Sequence, residues 1–473
     1  MGDGRPSPIC FKKMENTIKE LYKFDRYLLG SGYDNALEYI NQLIGLETIE
    51  VPSGTELDTW TVPDEWIIRE AWIKRNGEKI LDWDTNKLSV VIGSLPFSGK
   101  VTLEELKNHL HYSNDKPEST PYVYKFYDKD WGFCVPKTFI QKKTETACEG
   151  GTCTPELKEI DQEVGKIQIE GIDYKPKWED SLEEGEYEVF IDTEYRPGTM
   201  KLGVHTIKGK SEREILLFAH LDHPWQANDN LSGVACLVDL AKKIKSDHTI
   251  KIIFCPETIG SIAYGKLQDI SKVDFVVAVD ICGNDHSLLL QKSFNPEDKL
   301  NRIAHCTLQM IGKSYRKGNF RNVIGSDEYY FNDPKVNIPG ILLSRFPYKE
   351  YHTELDTPEI INYEMITETQ DFILKLIETY EKDYVPVRNW TGPLMRSRYD
   401  MQSVSPALNL NYDYLFYSLD GKRSLAELCC EFELNFDMIY EIFEKLIDDK
   451  KISRLNDSQG AVKSTTRKKS KRV

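Results

Sequence analysis

The chain has 473 residues and carries 76 acidic against 61 basic side chains, a formal net charge of −15, with 40% hydrophobic and 11% aromatic residues. Such a length exceeds what one core ordinarily sustains, so two or three domains are expected. The acidic balance argues against a general nucleic-acid binder, which needs clustered Lys and Arg, and no apolar run approaches the roughly 20 residues that cross a bilayer.

The first residues, Met1 to Ser7, lack the charged-then-apolar pattern of a secretory leader, and Pro6 counters a myristoylation reading, so a cytoplasmic location is expected. Residues 10 to 60 have helical patterning. Met14, Ile18, Leu21 and Tyr22 stand three or four apart, and Ala36, Tyr39 and Ile40 begin a second such stretch. From 61 to 155 the texture changes to short β-like runs, such as Lys87 to Ile92 and Pro121 to Tyr127, with Trp60, Trp66, Trp72, Trp83 and Trp131 supplying bulky side chains. This stretch reads as an inserted β-rich domain. Cys148 and Cys153 flank Glu149-Gly150-Gly151-Thr152, but no second Cys pair stands at zinc-site spacing; Cys236, Cys255 and Cys282 lie in apolar runs where a reduced, core-filling thiol is expected.

Four apolar runs follow: Ile215 to Ala219, Ile250 to Cys255, Phe275 to Val279 and Ile341 to Leu343. Apolar on both faces and separated by helical segments, they predict an α/β fold with a mainly parallel sheet covered by helices on both faces. Ligands in such sheets gather at strand carboxyl ends. Each run leads there to chemistry. The first reaches His220, Asp222, His223 and Asp229; the second Glu257; the third Asp280; the segment after the fourth His352 and Asp356. Zinc takes imidazole nitrogen and carboxylate oxygen and, in catalytic sites, keeps a position open for water. A carboxylate outside the ligand set can then move a proton, and Glu257 is the candidate. Taken singly, each residue also has an ordinary explanation: Asn228-Asp229-Asn230 before a helix is a natural cap, and an isolated His is usually just hydrogen-bonded.

The segments Ala219-His220-Leu221-Asp222-His223, Asn228-Asp229-Asn230, Pro256-Glu257 and His352-Thr353-Glu354 resemble the metal motifs of leucyl-aminopeptidase-type zinc exopeptidases. With Trp131-Gly132-Phe133-Cys134, Gly325-Ser326-Asp327-Glu328 and Tyr351-His352, the set is closest to bacterial aminopeptidase-like proteins that combine this domain with an inserted β-rich domain and a C-terminal winged helix. The resemblance implies a zinc exopeptidase-like domain over 1–60 and 156–393, the insertion over 61–155 and a winged helix over 394–456. It makes His220 a ligand, Asp222 its orienting partner, Asp229 a bridge, Glu257 the base, Asp280 a further ligand and His352 the remaining imidazole. The closer group favours His223 over His220, and the sequence leaves that choice open. It departs from the broader pattern at Thr258, where a second acidic ligand is expected. One zinc ion is therefore favoured, with two still allowed.

Asp327 or Glu328 is a candidate to hold a substrate ammonium, and Arg345 to grip a substrate carboxylate, each against the alternative of a surface ion pair. The expected function is a zinc-dependent, aminopeptidase-like hydrolase acting on a peptide or small amide. A non-catalytic scaffold that keeps the fold is the alternative, and nucleic-acid regulation a weaker third. From Arg396 to Arg454 there are eight basic and eleven acidic residues, so the winged helix is expected to contact protein rather than phosphate. The stretch 457–473 reads as a disordered tail, basic from Lys463 onward.

Overall fold

The computed structural model describes residues 8–125, 127–144, 177–399, 401 and 406–455. Cys148, Cys153 and the basic tail lie outside the described residues. The chain divides into two compact units, one formed by the residues up to Phe294 with Arg316–Gln370, the other by Asn295–Tyr315 with the chain from Asp371 onward.

The first unit is built on an eight-stranded sheet. Its strands in chain order are β1 (Glu47–Pro52), β2 (Thr199–Ile207), β3 (Glu214–His220), β4 (Thr249–Cys255), β5 (Val273–Val279), β6 (Leu288–Gln291), β7 (Tyr315–Gly318) and β8 (Gly340–Ser344). They lie in the spatial order β1-β2-β4-β3-β5-β8-β6-β7. The four apolar runs are the middle strands, and β4, β3, β5 and β8 pair in parallel. The sheet is mixed rather than mainly parallel, because β1 and β2 on one side and β6 on the other pair antiparallel. Chain reversals of that kind need no helical crossover.

Strand β3 is buried on both faces: Ile215, Leu216, Leu217 and Phe218 have no exposed surface. Burial of each such side chain contributes about 1.5–3 kcal/mol. Leu216 and Phe218 share one cluster with Ile253, Val276, Tyr264 and Phe331, so alternate residues of β3 anchor to its neighbours on one face. Helix α1 (Pro8–Tyr22) buries Met14, Ile18 and Leu21 and α2 (Ser31–Ile44) buries Ala36 and Ile40, as their spacing predicts; Tyr22 and Tyr39 of the same pattern are only partly buried, and Leu37 joins the buried face of α2.

A second sheet of four antiparallel strands runs in the order Glu78–Asp82, Glu65–Arg75, Glu186–Arg196, Phe97–Thr102. Its third strand corrects the boundary at 155. Glu186–Arg196 lies beyond it yet forms the middle of this sheet, because the Tyr187/Val189/Ile191 face buries into the cluster that holds Trp66, Ile73 and Phe133. This sheet belongs to the first unit.

In the second unit, helices Lys299–Ile311, Pro406–Tyr417, Leu425–Glu431 and Phe436–Asp448 surround a core that includes Leu415, Leu428, Phe443 and Ile452. Ser424 and Glu427 form a reciprocal capping box at the start of the third of these helices. The extended Ile452–Leu455 pairs antiparallel with Val385–Arg388, a strand expected on sequence to belong to the catalytic domain. Among the described residues no helix is long and apolar enough to cross a membrane.

Candidate metal centre

Strand β3 ends at His220, and the next ten residues form a buried loop into helix α3 (Leu231–Leu240). The helix cap is Asn230, whose side-chain oxygen accepts from Gly233 N–H at 3.0 Å and Ile281 N–H at 3.1 Å while its amide donates to Val279 O at 2.7 Å. Asn230 therefore takes the capping role and ties the helix start to the end of β5, leaving the Asp229 carboxylate free to turn toward imidazoles. Asp229 Oδ1 lies 3.2 Å from His220 Nε2 and 3.3 Å from His223 Nδ1, and its Oδ2 lies 2.9 Å from His352 Nε2. Asp280 Oδ1, just past β5, is 3.3 Å from His220 Nε2. Glu257, just past β4, has Oε2 3.5 Å from His223 Nε2. Asp222 Oδ1 accepts the Glu257 N–H at 2.8 Å and stands 3.5 Å from His220 Nδ1.

All the expected ligands and the expected base thus converge, and both His220 and His223 are present at the cluster. His220, His223 and Asp229 offer donor atoms within 4.8 Å of one another, and so do His220, Glu257 and Asp280. Ligands at 2.0–2.2 Å around a tetrahedral ion stand roughly 3.3–3.6 Å apart, close to the spacing of His220 Nε2 from Asp229 and Asp280. His220 Nδ1 and His352 Nε2 are buried without a well-formed hydrogen bond. Donor type, spacing and burial all fit a transition metal such as zinc.

The electrostatics agree. Burial pulls the His220 pKa down, but Asp280, Glu257, Asp222 and Asp229 together hold it well above the usual imidazole range. Against the same effect of burial, Asp229 and Asp222 raise His223 to about 9. Burial pushes Asp229 up, yet the three imidazoles hold it well below the usual carboxylate range. Glu257 is lifted to about 8, chiefly by burial. The folded chain gathers more carboxylates here than its imidazoles neutralise, a field that favours a cation.

Further groups support the cluster, and of these Arg26, Tyr348 and Tyr122 were not singled out as site residues from the sequence. Arg26, from the α1–α2 connection, is fully buried; its guanidinium donates to Leu221 O at 2.9 Å, Gln226 O at 3.0 Å and Leu21 O at 3.1 Å. Asp356 accepts Asn228 N–H at 2.7 Å, Asp229 N–H at 3.1 Å and the Tyr348 hydroxyl at 2.6 Å. Tyr351 stacks on His352 with ring centres 3.9 Å apart, and Tyr122 packs 5.1 Å from the His223 ring and 5.0 Å from the His352 ring. His223, Thr258, Ile281 and His352 all hold φ between 52° and 76°, a left-handed conformation that non-glycine residues adopt at a cost and that clusters at functional sites.

The expected substrate groups behave differently. Asp327 is buried beside the centre, but its Oδ1 accepts Thr258 N–H at 3.1 Å, and burial lifts it to about 6. Glu328 is fully buried, accepts Ser326 N–H at 3.2 Å and the Gln291 amide at 3.1 Å, and is raised to about 8 by burial. Arg345 is not brought to the centre, and the expectation of a carboxylate grip is corrected. Its guanidinium is fully buried and donates to Met365 O at 3.0 Å, to Glu368 at 3.1 Å and to His286 O. A cleft of about 80 Å³, lined by Tyr27, Trp66, Tyr122 and Tyr124, opens beside Glu257 and His223.

The model of a family described as "Domain of unknown function (DUF4910)" matches residues 15–383. A Clostridium acetobutylicum protein, named provisionally as a polysaccharide biosynthesis protein with an aminopeptidase-like domain, is 29% identical over 439 residues, covering 90% of this chain and 92% of its own. A crystal structure of a provisionally named peptidase from Clostridium acetobutylicum superposes with a TM-score of 0.74 at 26% identity, over 94% of this chain and 96% of the other. A zinc aminopeptidase from Bacillus subtilis shares the fold with a TM-score of 0.55 at 14% identity, over 80% of this chain and 96% of its own. The fold is aminopeptidase-like.

Proposed function

Because this chain belongs to the DUF4910 family and has an aminopeptidase-like fold, we propose that it is a zinc-dependent hydrolase cleaving an amide near one end of its substrate. The observation that carries this reading is the convergence of His220, His223 and His352 with Asp229, Asp280 and Glu257 at the carboxyl ends of parallel strands.

His220, Asp229 and Asp280 would hold the ion, with His223 sharing one oxygen of Asp229 and His352 facing the other. Thr258 stands where a second site would want a carboxylate, which favours one ion over two. Zinc, when bound, polarises the scissile carbonyl and lowers the pKa of water. Glu257 would take a proton from the attacking water and deliver it to the leaving nitrogen, a role that its place beside His223 and Asp222 supports. Asp222 aligns the pair, since one of its oxygens faces His220 and also accepts the Glu257 N–H. The Clostridium relative's provisional tie to polysaccharide biosynthesis adds sugar-borne amides to peptides as substrates to test. In the second unit, three consecutive helices and the terminal ribbon support a winged helix, and its acidic balance supports a protein contact. Thr258 is the observation behind a second reading, a non-catalytic protein that retains the fold.

The test is Glu257→Gln. Metal analysis should find the ion retained, while hydrolysis of amide substrates falls about 10²–10⁴-fold. A fully active, metal-loaded variant would refute the base, and protein purified without chelator that holds no transition metal would refute the centre.

A further inference from the structure

The second unit holds a thiol pair outside the metal centre. Cys306 lies on the helix Lys299–Ile311 and Cys430 near the end of the helix Leu425–Glu431, and both are thiols rather than a disulfide. They share one apolar cluster and line one open groove of about 540 Å³. The Cys430 thiol donates to the side-chain oxygen of Gln309, which stands three residues after Cys306 and so on the same face of that helix. Cys306 hydrogen-bonds Cys430 in turn, and this bond together with burial holds the Cys306 thiol well above the usual range. Two sulfurs from helices far apart in sequence are thus already neighbours.

Access sets this pair apart. Among the described residues Cys430 is the one cysteine that is not buried, and its contact with Gln309 is exposed to solvent. Cys236 and Cys282 also hydrogen-bond each other, but neither has any exposed surface, so no oxidant reaches them while the chain is folded. Cys429, next to Cys430, is fully buried, and burial raises its thiol well above the usual range. A sulfur–sulfur hydrogen bond spans up to about 4 Å and a disulfide about 2.0 Å, so the pair must close by roughly 2 Å. Cys430, the less buried of the two, supplies that movement by turning its side chain from Gln309 toward Cys306.

We propose that Cys430 and Cys306 form a redox switch: a low-molecular-weight disulfide entering the groove oxidises them to a disulfide that clamps the helix Leu425–Glu431 to the helix Lys299–Ile311. The exposed thiol reacts first and the buried one resolves it. The Cys430 sulfur attacks the small disulfide, forms a mixed disulfide and expels one small thiol, which leaves with the Cys430 proton. The Cys306 sulfur then attacks the Cys430 sulfur, breaks the mixed disulfide and expels the second small thiol with the Cys306 proton. Two protein thiols lose two electrons and two protons, and the small disulfide gains both. The switch does not depend on the hydrolase reading above.

The experiment treats the full chain with oxidised glutathione and maps its cysteines by mass spectrometry. A Cys306–Cys430 cross-link should form and be reversed by dithiothreitol, while Cys236 and Cys282 stay reduced. Cys306→Ser should keep one glutathione on Cys430, and Cys430→Ser should leave Cys306 reduced. On oxidation the amides of Thr307 to Met310 and of Leu428 to Glu431 should exchange with solvent about tenfold more slowly. No cross-link, a cross-link to Cys429 instead, oxidation of Cys236 and Cys282 at the same rate, or unchanged amide exchange each overturns the proposal. The cross-link is read on the unsubstituted chain, so it decides even where a variant fails to fold.

Discussion

Arg26→Met should loosen the ion-binding loop with little change to the sheet beneath it. The guanidinium is buried with no carboxylate in hydrogen-bond range, and burial lowers its pKa to about 10. Keeping it charged costs about 3 kcal/mol, from roughly 2.5 pH units at 1.36 kcal/mol each. Against that stand three short hydrogen bonds from a charged donor, each contributing about 1.5–3 kcal/mol, two of them to loop carbonyls at Leu221 and Gln226. The balance favours arginine by about 1–6 kcal/mol, and methionine of similar length would leave those carbonyls buried without donors. Since the loop holds His223 and Asp229, the loss should appear as a 10–100-fold drop in zinc affinity. Competition with a chromophoric chelator measures it. Zinc affinity within twofold of the parent, with Leu221 to Gln226 equally protected from hydrogen exchange, would refute the reasoning. Arg26→Lys should fall between, because one ammonium cannot span three carbonyls.

Asn230→Ala removes a helix cap and also strands Ile281 N–H and Val279 O, so urea unfolding should show a loss of about 2–4 kcal/mol. In the second unit, burial lifts the Asp383 carboxyl to about 6 while it accepts Ala426 N–H at 2.9 Å. A folded pKa above the unfolded one means the ionised group opposes folding above pH 6, and stability rises as pH falls from 6 toward 4. Asp383→Asn should therefore stabilise at pH 7.5 by up to about 3 kcal/mol and leave no difference from the parent near pH 4, read from paired melts across that window.

The four central strands were legible because each is a short apolar run, and burial on both faces leaves no other pattern for such a segment. The antiparallel flanks were not. Met200, Leu202 and Val204 alternate with polar residues as any half-buried strand does, and alternation does not say which neighbour a strand chooses. Glu186–Arg196 was misassigned for the same reason: its buried face fits either sheet, and only three-dimensional pairing decides. At the centre, His220, Asp229, Glu257, Asp280 and His352 could be named because their chemistry follows strand ends. Arg26 carried no such signal, since a lone arginine between two helices reads as solvated. Arg345 misled in the opposite sense, because proximity in sequence to a strand end does not reveal that its guanidinium turns inward to Glu368.

The metal-free centre holds protons where an ion would hold ligands, and the two states differ measurably. His223 titrates at about 9 and His220 well above the usual range, so both are cationic at pH 7.5 when no ion is bound. An ion takes neutral imidazoles, and its binding must displace those protons. About two protons should leave the rings per zinc bound at pH 7.5 if both ligate, with a further fraction from Glu257, whose value of about 8 leaves it mostly protonated there, and fewer as pH climbs past 9, where His223 and Glu257 have already lost theirs. Calorimetric titration in buffers of different ionisation enthalpy counts them directly. Heat that is independent of buffer would mean that the imidazoles are neutral before the ion arrives, and that the carboxylates around them do not act as this geometry requires.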